Sequence, residues 1–550
     1  MTEGKEFMNK IAHYLSEHIQ GEVVTSPAIR EAFANDASVL SIQPEMVAFP
    51  RVTNDIRKIA RFSWQLAEKG HVLPMTARGA GTDQTGAAIG KGIIVNTVAH
   101  LDSIFELDVK QKLVRLQPGV SFKTLNDALG LHGLFVPSIP ASHAYSTIGG
   151  AIANNASGSL SGKYGDTSSW VSQLEIVLAN GDILQTGRIS KKEVNRKKGL
   201  QSLEGEIYRQ IDNLITDKEQ IIATKISEDI RDNAGYMGIV DVRHKDGSID
   251  LTPLFLGSQG TLGIVSEVIM RTTFANRHHY AVVAAFEDYE SCRDAIDDMA
   301  ALEPAICELV DGALLAEAVK QGRRYDFFTP QLATGAVLVM AFDDFSERAR
   351  SRQLKKAVRQ LESRGATVVS ETEQEDVAAL LDIRKLTSMQ LAPTERDVSA
   401  PPIIDGAYVP LNRLEDFHKA VLALAKKHHV ALPLFGHASD GVFYARPALH
   451  MKKVSDKQKI FKLLGEYSVL VDSHGGHIVG EAGEGRLKSL FAYKYIDDEL
   501  MAVFKQIKDI FDPYGILNPG VKQQAELKDL VGQLRDDYSL AAFSHYSPHC

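Results

Sequence analysis

The sequence predicts an α+β chain of more than one domain, and three observations carry that expectation. The chain has 550 residues, too many for one hydrophobic core, so two or three domains are expected. Up to about Thr272, strand-like and helix-like segments alternate around glycine-rich turns. After Thr272 the order becomes strand, helix, strand, and then repeats, which reads as an antiparallel sheet backed by helices.

The elements follow in order. Residues 1–40 read as a helical lead-in, with Phe7, Ile11, Leu15 and Ile19 at helical spacing. Met46–Pro50 is a short strand. A helix from Thr53 to Lys69 follows, with Thr53 and Asn54 as candidate N-caps. Gly92–Thr97 and Lys112–Gly119 are strands, and Phe122–Leu131 is a helix. Val171–Ala179 and Gly263–Thr272 are the core strands of a second subdomain, rich in β-branched residues and alternating. Between them 188–250 is long, charged and helical in parts, an insertion covering one face. Then come a strand (His278–Phe286), a helix (Ser291–Leu302), a strand within Ala333–Phe342, a long amphipathic helix (Ser346–Gly365) and a strand over Ala366–Thr372. The expected domains are 41–275 and 276–522. A tail, 523–550, carries no pattern tied to the rest.

Composition excludes several classes. The net charge of −9 argues against a nucleic-acid protein. The most basic stretch, Ser190–Lys198, reads as a solvated helix face. The three cysteines, Cys292, Cys307 and Cys550, form no CxxC pair, which argues against cysteine-type zinc, iron–sulfur sites and a disulfide framework. Cys292 and Cys307 read as buried thiols. The N-terminus lacks an apolar signal core. The strongest apolar run, Ala333–Phe342, is about half the ~20 residues of a membrane span. A cytoplasmic protein is expected, with peripheral docking at the inner face of the membrane left open.

Four glycine-rich stretches stand in a set order: Thr76–Gly86, Thr147–Gly158, Lys163–Asp182 and Leu254–Glu267. A dinucleotide diphosphate needs backbone N–H donors packed close around it, and only small residues let a backbone come that near. Each stretch alone is weak, because glycine turns end strands in many proteins. Taken together and in this order, they resemble the PCMH-type FAD-binding domain of the vanillyl-alcohol oxidase superfamily, in its D-lactate and D-2-hydroxyglutarate dehydrogenase branch. The resemblance gives cofactor contacts to Arg78, Gly79, Ala80, Gly81, Thr82 and Asp83 in the first loop. It gives the second to Gly149, Gly150, Asn155 and Gly158, and the third to Gly260, Gly263, Ile264 and Val265. It also implies FAD rather than FMN. No histidine stands in the first loop and no cysteine lies near, so the FAD is expected to be non-covalent. Gln84 stands where a GxGxxG motif needs its third glycine, which disfavours a nicotinamide site. Gly158–Gly165 is one residue short of a phosphate-binding P-loop, with Tyr164 where Ser or Thr would meet magnesium.

The resemblance continues in three C-terminal segments. Asp382–Ser388 matches a helix carrying a substrate arginine, here Arg384. A guanidinium suits a carboxylate because its fork makes two parallel charged hydrogen bonds; a surface arginine is the plain alternative. Asp405–Phe417 matches a strand and helix entry. Phe511–Gly520 matches the terminal signature, where Asn518 would lie near the flavin.

The metal motif departs from the pattern. Relatives show HxGDGNxH and later GEHG. Here the first segment is His437-Ala438-Ser439-Asp440-Gly441-Val442-Phe443-Tyr444, so Tyr444 takes the second histidine's place. The second is Gly480-Glu481-Ala482-Gly483, so Ala482 takes the place of the expected base. Only His437 and Glu481 remain in register, and a tight divalent site wants at least three protein ligands. The metal is thereby put in doubt. His474 and His477 are near in sequence but read as surface residues of a helix. Tyr444, Glu484 or His437 are the candidates to replace the base, and Glu484 is equally readable as a solvent-facing loop acid.

The expected function is an FAD-dependent dehydrogenase of a small 2-hydroxy acid, D-lactate-like. The chain has no cluster or haem motif of its own, so electrons would pass to an external acceptor: a quinone, a cytochrome or a partner redox protein. Two alternatives stay open. One is a flavin-binding subunit or pseudoenzyme of low activity. The other is an FAD oxidase of a non-acid alcohol, sugar or phenol.

Overall fold

A computed structural model describes residues 2–227, 231–386, 398–523, 525–536 and 538. The expected contributions of Thr387, Ser388 and Cys550 lie outside the described residues.

After the helix Thr2–His18, strands β1 (Glu22–Val24), β2 (Met46–Phe49), β3 (Met75–Arg78) and β4 (Ile93–Asn96) form a four-stranded sheet in the order β1-β2-β4-β3. β2, β4 and β3 are parallel. This is the α/β start expected from the sequence, with the helix Thr53–Glu68 as the crossover. Its N-cap is Val52, and it makes no side-chain cap bond, contrary to the expectation for Thr53 and Asn54. The Asp55 carboxylate explains the difference. It accepts from the N–H groups of Gln20, Gly21 and Arg51 and so ties the lead-in to the helix start.

A five-stranded antiparallel sheet follows. β5 (Ile104–Asp108) and β6 (Leu113–Leu116) pair with β8 (Val171–Val177), β9 (Ile183–Gln185) and β10 (Ile264–Arg271) in the order β5-β6-β10-β8-β9. β7 (Leu134–Phe135) pairs separately with β11 (Thr273–Phe274). The helix Leu203–Asp217 buries Ile207, Tyr208, Ile211 and Leu214 in the core that also holds Val268 and Met270 of β10. The insertion thus covers one face of this sheet.

The C-terminal half is one seven-stranded antiparallel sheet. Its strands are β12 (Tyr280–Phe286), β13 (Ile306–Asp311), β14 (Ala336–Phe342), β15 (Thr367–Glu371), β16 (Ala407–Tyr408), β17 (Leu434–His437) and β18 (Val442–Ala445), in the order β15-β12-β14-β13-β17-β18-β16. Alternation along each strand sends side chains to two separate cores. Val282, Ala284 and Phe286 meet Leu354, Ala357 and Leu361 of the helix Glu347–Ser363 on one face. Val283, Val310, Val337 and Val339 meet Leu314, Leu315 and Ile383 on the other. Cys292 and Cys307 are free and buried.

The tail is not independent of the rest. Ser41 N–H donates to Gln533 O at 2.8 Å and Arg535 N–H to Val39 O at 2.9 Å, a β-bridge pairing Leu40 with Leu534. Backbone pairing of this kind leaves no periodic sequence signal, so the expectation of an unconnected tail fails for these residues.

Candidate active site

The first glycine loop leaves β3 at Arg78. The Arg78 side chain turns inward, donating to Asn35 O at 2.8 Å and Ala88 O at 3.2 Å and lying 5.1 Å over the Phe33 ring. It therefore supports the loop from beneath. Gly81 adopts φ +80°, and a Cβ there would clash with the Arg78 guanidinium. Asp83 organises the turn that follows: its carboxylate accepts from Thr85 N–H at 2.9 Å, Ala87 N–H at 2.7 Å and Asn154 Nδ2 at 3.0 Å. Ala80 and Thr82, between them, keep part of their surface open.

The second loop forms the helix Ile148–Asn154. Thr147 caps it by accepting from Gly150 N–H at 3.2 Å. A Cβ on Gly79 would clash with Thr147, so the first two loops touch. Gly149 packs on Pro118, 2.6 Å from where its Cβ would be, and Gly158 leaves no room beside Ile139 O. Asn155 ends the helix in the left-handed region and bonds Asp166 at 2.9 Å and Asn233 at 3.0 Å. In the third loop Gln259 and Gly260 have positive φ. Gln259 Nε2 donates to Asn154 Oδ1 at 2.9 Å, and its Oε1 accepts from Gly485 N–H at 2.9 Å. Gly263 packs tightly on Ile176, while Ile264 and Val265 pair with Val177 and Ile176 in the sheet. Asn518 is fully buried and donates to Ala87 O and Gln259 O, both at 2.8 Å. It binds the first loop to the third.

Three buried hydroxyls in and before the second loop, Ser138, Ser146 and Ser157, have no hydrogen-bond partner within the protein. Buried polar atoms rarely stay unpaired in a finished fold. Small-residue loops in mutual contact, with orphaned hydroxyls beside them, fit a polar dinucleotide.

A second constellation sits in the C-terminal sheet. β13 and β17 are neighbours, and Glu308 and His437 are register partners. Glu308 Oε1 lies 3.2 Å from His437 Nδ1, and the Tyr444 hydroxyl lies 3.1 Å from His437 Nε2. Arg384 Nε donates to Glu308 Oε2 at 3.2 Å. Arg384 also donates to Ser159 Oγ at 3.2 Å, one residue beyond the second loop. Further bonds cross between the same regions: Ser161 and Arg231 to Asp440, and Lys163 and Tyr164 to Asp343. Burial pulls His437 down, but the Glu308 hydrogen bond and charge, with Glu481 and Asp440 behind them, carry its pKa up to about 9. Burial raises Glu308, yet the Arg384 charge and the His437 bond outweigh it and hold the carboxyl below its ordinary range.

Residues 44–187 match the FAD binding domain, and residues 275–521 match the C-terminal domain of FAD linked oxidases. The chain belongs to the FAD-linked oxidases. This FAD-linked oxidase is 28% identical over 516 residues to a D-2-hydroxyglutarate dehydrogenase of Pseudomonas putida, covering 91% of the chain and 50% of that protein. It is 28% identical over 480 residues to glycolate oxidase subunit GlcD of Bacillus subtilis, covering 87% and 88%. The chain spans about half the length of the D-2-hydroxyglutarate dehydrogenases it matches. Its fold matches that of p-cresol methylhydroxylase, with a TM-score of 0.68 and 12% identity over 95% of the chain and 97% of that one. 4-Ethylphenol oxidase from Gulosibacter chungangensis matches at 0.66 and 15%, over 95% and 98%.

Within this FAD-linked oxidase the structure brings Arg384, His437 and Tyr444 together and sets Glu484 apart. Glu484 is 0% exposed and ion-paired with Lys522 at 2.7 Å; Gly235 N–H and the Tyr493 hydroxyl donate to it as well. It is neither a loop acid in solvent nor a group open to substrate. Glu481 N–H bonds Gly406 O at 3.0 Å, and Ala482 sits at φ +56°. His474 caps the helix Val454–Ser473 and bonds Leu470 O, while His477 lies beyond it, 3.5 Å from Asp232. The pair does not share a helix face. Among the described residues no group of three or more His, Cys, Asp or Glu is placed to hold a metal. Both His437 nitrogens already face protein partners, so the donors present do not fit a tight divalent site. Sequence reading missed Glu308. Its one signal was an acid inside the otherwise apolar run Ile306–Val310.

Proposed function

We propose that the chain is an FAD-dependent dehydrogenase of a small 2-hydroxy acid, with an external acceptor taking the electrons. The observation that carries this reading is the junction of Arg384 with Ser159. It sets a guanidinium and the His437–Tyr444 pair beside the second flavin loop. The names of the relatives support the class of substrate.

The flavin would be held non-covalently by the loops at Arg78–Asp83, Thr147–Gly158 and Gln259–Gly263, with Asn518 bracing two of them. Bound FAD supplies the hydride acceptor. Arg384, steadied by Glu308 and Ser159, presents its guanidinium charge to the substrate carboxylate and so orients the hydroxyl-bearing carbon. Glu308 fixes both Arg384 and the His437 ring. Tyr444 takes the hydroxyl proton as its own proton moves to His437 Nε2, a transfer that requires neutral His437. General-base help of this kind is typically worth about 10²–10⁴-fold. Ala482 can give none.

A second reading, a flavin-carrying subunit of low activity, is favoured by Ala482 at the expected base position. Anaerobic mixing of the purified protein with D- and L-2-hydroxy acids, alcohols and sugars separates the two. Bleaching by a 2-hydroxy acid supports the dehydrogenase. Bleaching only by alcohols or sugars would make it a non-acid oxidase, and no bleaching at all would leave the subunit reading.

A further inference from the structure

The helix Glu347–Ser363 carries Arg348, Arg352, Lys355, Lys356 and Arg359 at helical spacing, all on its exposed side. Its inward face buries Arg350, Leu354, Ala357 and Leu361. None of the five cations has an acid within ion-pair distance among the described residues. The acids nearby are engaged or at the margins. Asp294 and Asp298, on the helix Tyr289–Ala300 packed alongside, pair with Arg364, and Asp294 and Asp297 pair with Arg293. Glu347 and Glu362 stand at the two ends of the helix itself.

This is unusual for the molecule in two ways. The whole chain is acidic, at −9. The stretch that looked most basic in sequence, Ser190–Lys198, is largely neutralised: Arg196 pairs with Glu193, Lys197 with Glu204 and Lys198 with Asp212. Five like charges along about 16 Å of helix repel one another with no internal relief, and an anionic surface would relieve them.

The position of the helix says more. Its buried residues join the core on the face of the sheet formed by Val282, Ala284 and Phe286. Glu308 lies two positions from Val310, which faces the opposite core, so the Glu308–His437–Tyr444 cluster is on the other side of the sheet. The cations therefore do not serve the substrate. Immediately before the helix, Phe345 is 66% exposed. A basic helix face flanked by an exposed aromatic ring has the charge complement of acidic lipid headgroups.

We propose that the outer face of the helix Glu347–Ser363 docks on an anionic lipid surface, with Phe345 entering the headgroup layer. Binding of this kind is electrostatic, reversible and weakened by salt. It leaves the substrate side of the sheet open.

The test is co-sedimentation of the full FAD-loaded chain with phosphatidylcholine vesicles, with and without phosphatidylglycerol. Binding is expected only with phosphatidylglycerol and should be lost at high salt. Arg352→Glu with Lys355→Glu, Lys356→Glu and Arg359→Glu should lower partitioning at least about tenfold at unchanged flavin content. Lys197→Glu with Lys198→Glu, on the paired stretch, should bind as wild type does. Phe345→Ser should weaken binding without abolishing its salt dependence. Wild-type protein that ignores anionic vesicles, or a fourfold variant that binds as well as wild type, overturns the proposal. Equal competition by soluble polyglutamate would assign the face to an acidic protein partner and overturn it too.

Discussion

Glu308 and His437 stand opposite one another on β13 and β17, with the carboxylate 3.2 Å from the ring Nδ1. The strand register thus sets the ionisation of the imidazole. With His437 raised to about 9, the proton-accepting neutral ring is scarce at neutral pH and grows as pH rises. Flavin reduction should climb with pH through about 9. Glu308→Gln removes the hydrogen-bonded charge, and the climb should move down toward the ordinary histidine range near 6.5. A pH profile of single-turnover flavin reduction checks it; an unmoved profile would separate Glu308 from the proton transfer.

Arg384→Lys keeps the charge but loses the fork that reaches both Glu308 and Ser159. A charged hydrogen bond lost at such a site costs about 1.5–3 kcal/mol, so KM for a carboxylate substrate should rise roughly 10- to 100-fold. Flavin content should not change. Titration of the substrate against flavin bleaching measures both.

Gly81→Val should abolish FAD binding. The position needs φ +80°, and a side chain would drive into the Arg78 guanidinium that supports the loop. Gly149→Val should do the same by displacing the helix from Pro118. Gly130→Ala is the control, since its Cβ would meet nothing nearer than Arg277 at 4.0 Å. Full flavin occupancy in either valine variant would show that these loops do not build the cofactor site.

Asp36 links protonation to stability. Burial, then repulsion from Asp83, raises its pKa to about 7. The folded chain therefore keeps a proton that the unfolded chain has lost, and stability falls as pH rises from about 4 to about 7. The loss should be on the order of a few kcal/mol. Thermal melts of wild type and Asp36→Asn across that window should diverge with rising pH, the variant losing less. Parallel curves would refute the assignment.

Metal content after dialysis against a mild chelator should be substoichiometric, with flavin reduction unaffected. Tyr444→His with Ala482→His should raise occupancy, because it brings the ligands to at least three. The φ of +56° at residue 482 is one that histidine accepts more readily than most residues. Elemental analysis decides; one tightly held ion per wild-type chain would mean that Tyr444 or a displaced side chain completes the site.

Much of the fold was legible because its signals are periodic. The alternation at Val171–Val177 and Ile264–Arg271, and the apolar stripe Leu354–Leu361, survive as a core strand pair and a packed helix. The glycine-rich loops were legible as close-packed turns, and the reasons for their glycines are visible at Gly81 and Gly158. What escaped depends on partners distant in sequence. Glu308 matters because β17 lies beside β13, a pairing no local pattern announces. Glu484 looked like an exposed loop acid because Lys522, Tyr493 and Gly235 meet it only in three dimensions. Leu534 pairs with Leu40 through backbone alone.

The brace on the first glycine-rich loop has a consequence in time. Thr76 and Asn518, which hydrogen-bond each other, are 442 residues apart in the chain. Gln533 and Arg535 come later still and hold 39–41, whose neighbour Ala37 donates to Gly81 O at 3.0 Å. At about 5–20 residues per second, the glycine loop leaves the ribosome roughly 20–90 seconds before the residues that hold it in shape. The proposed dinucleotide cradle is therefore completed only once residues 518–535 have emerged, and cofactor loading belongs after their synthesis rather than before it.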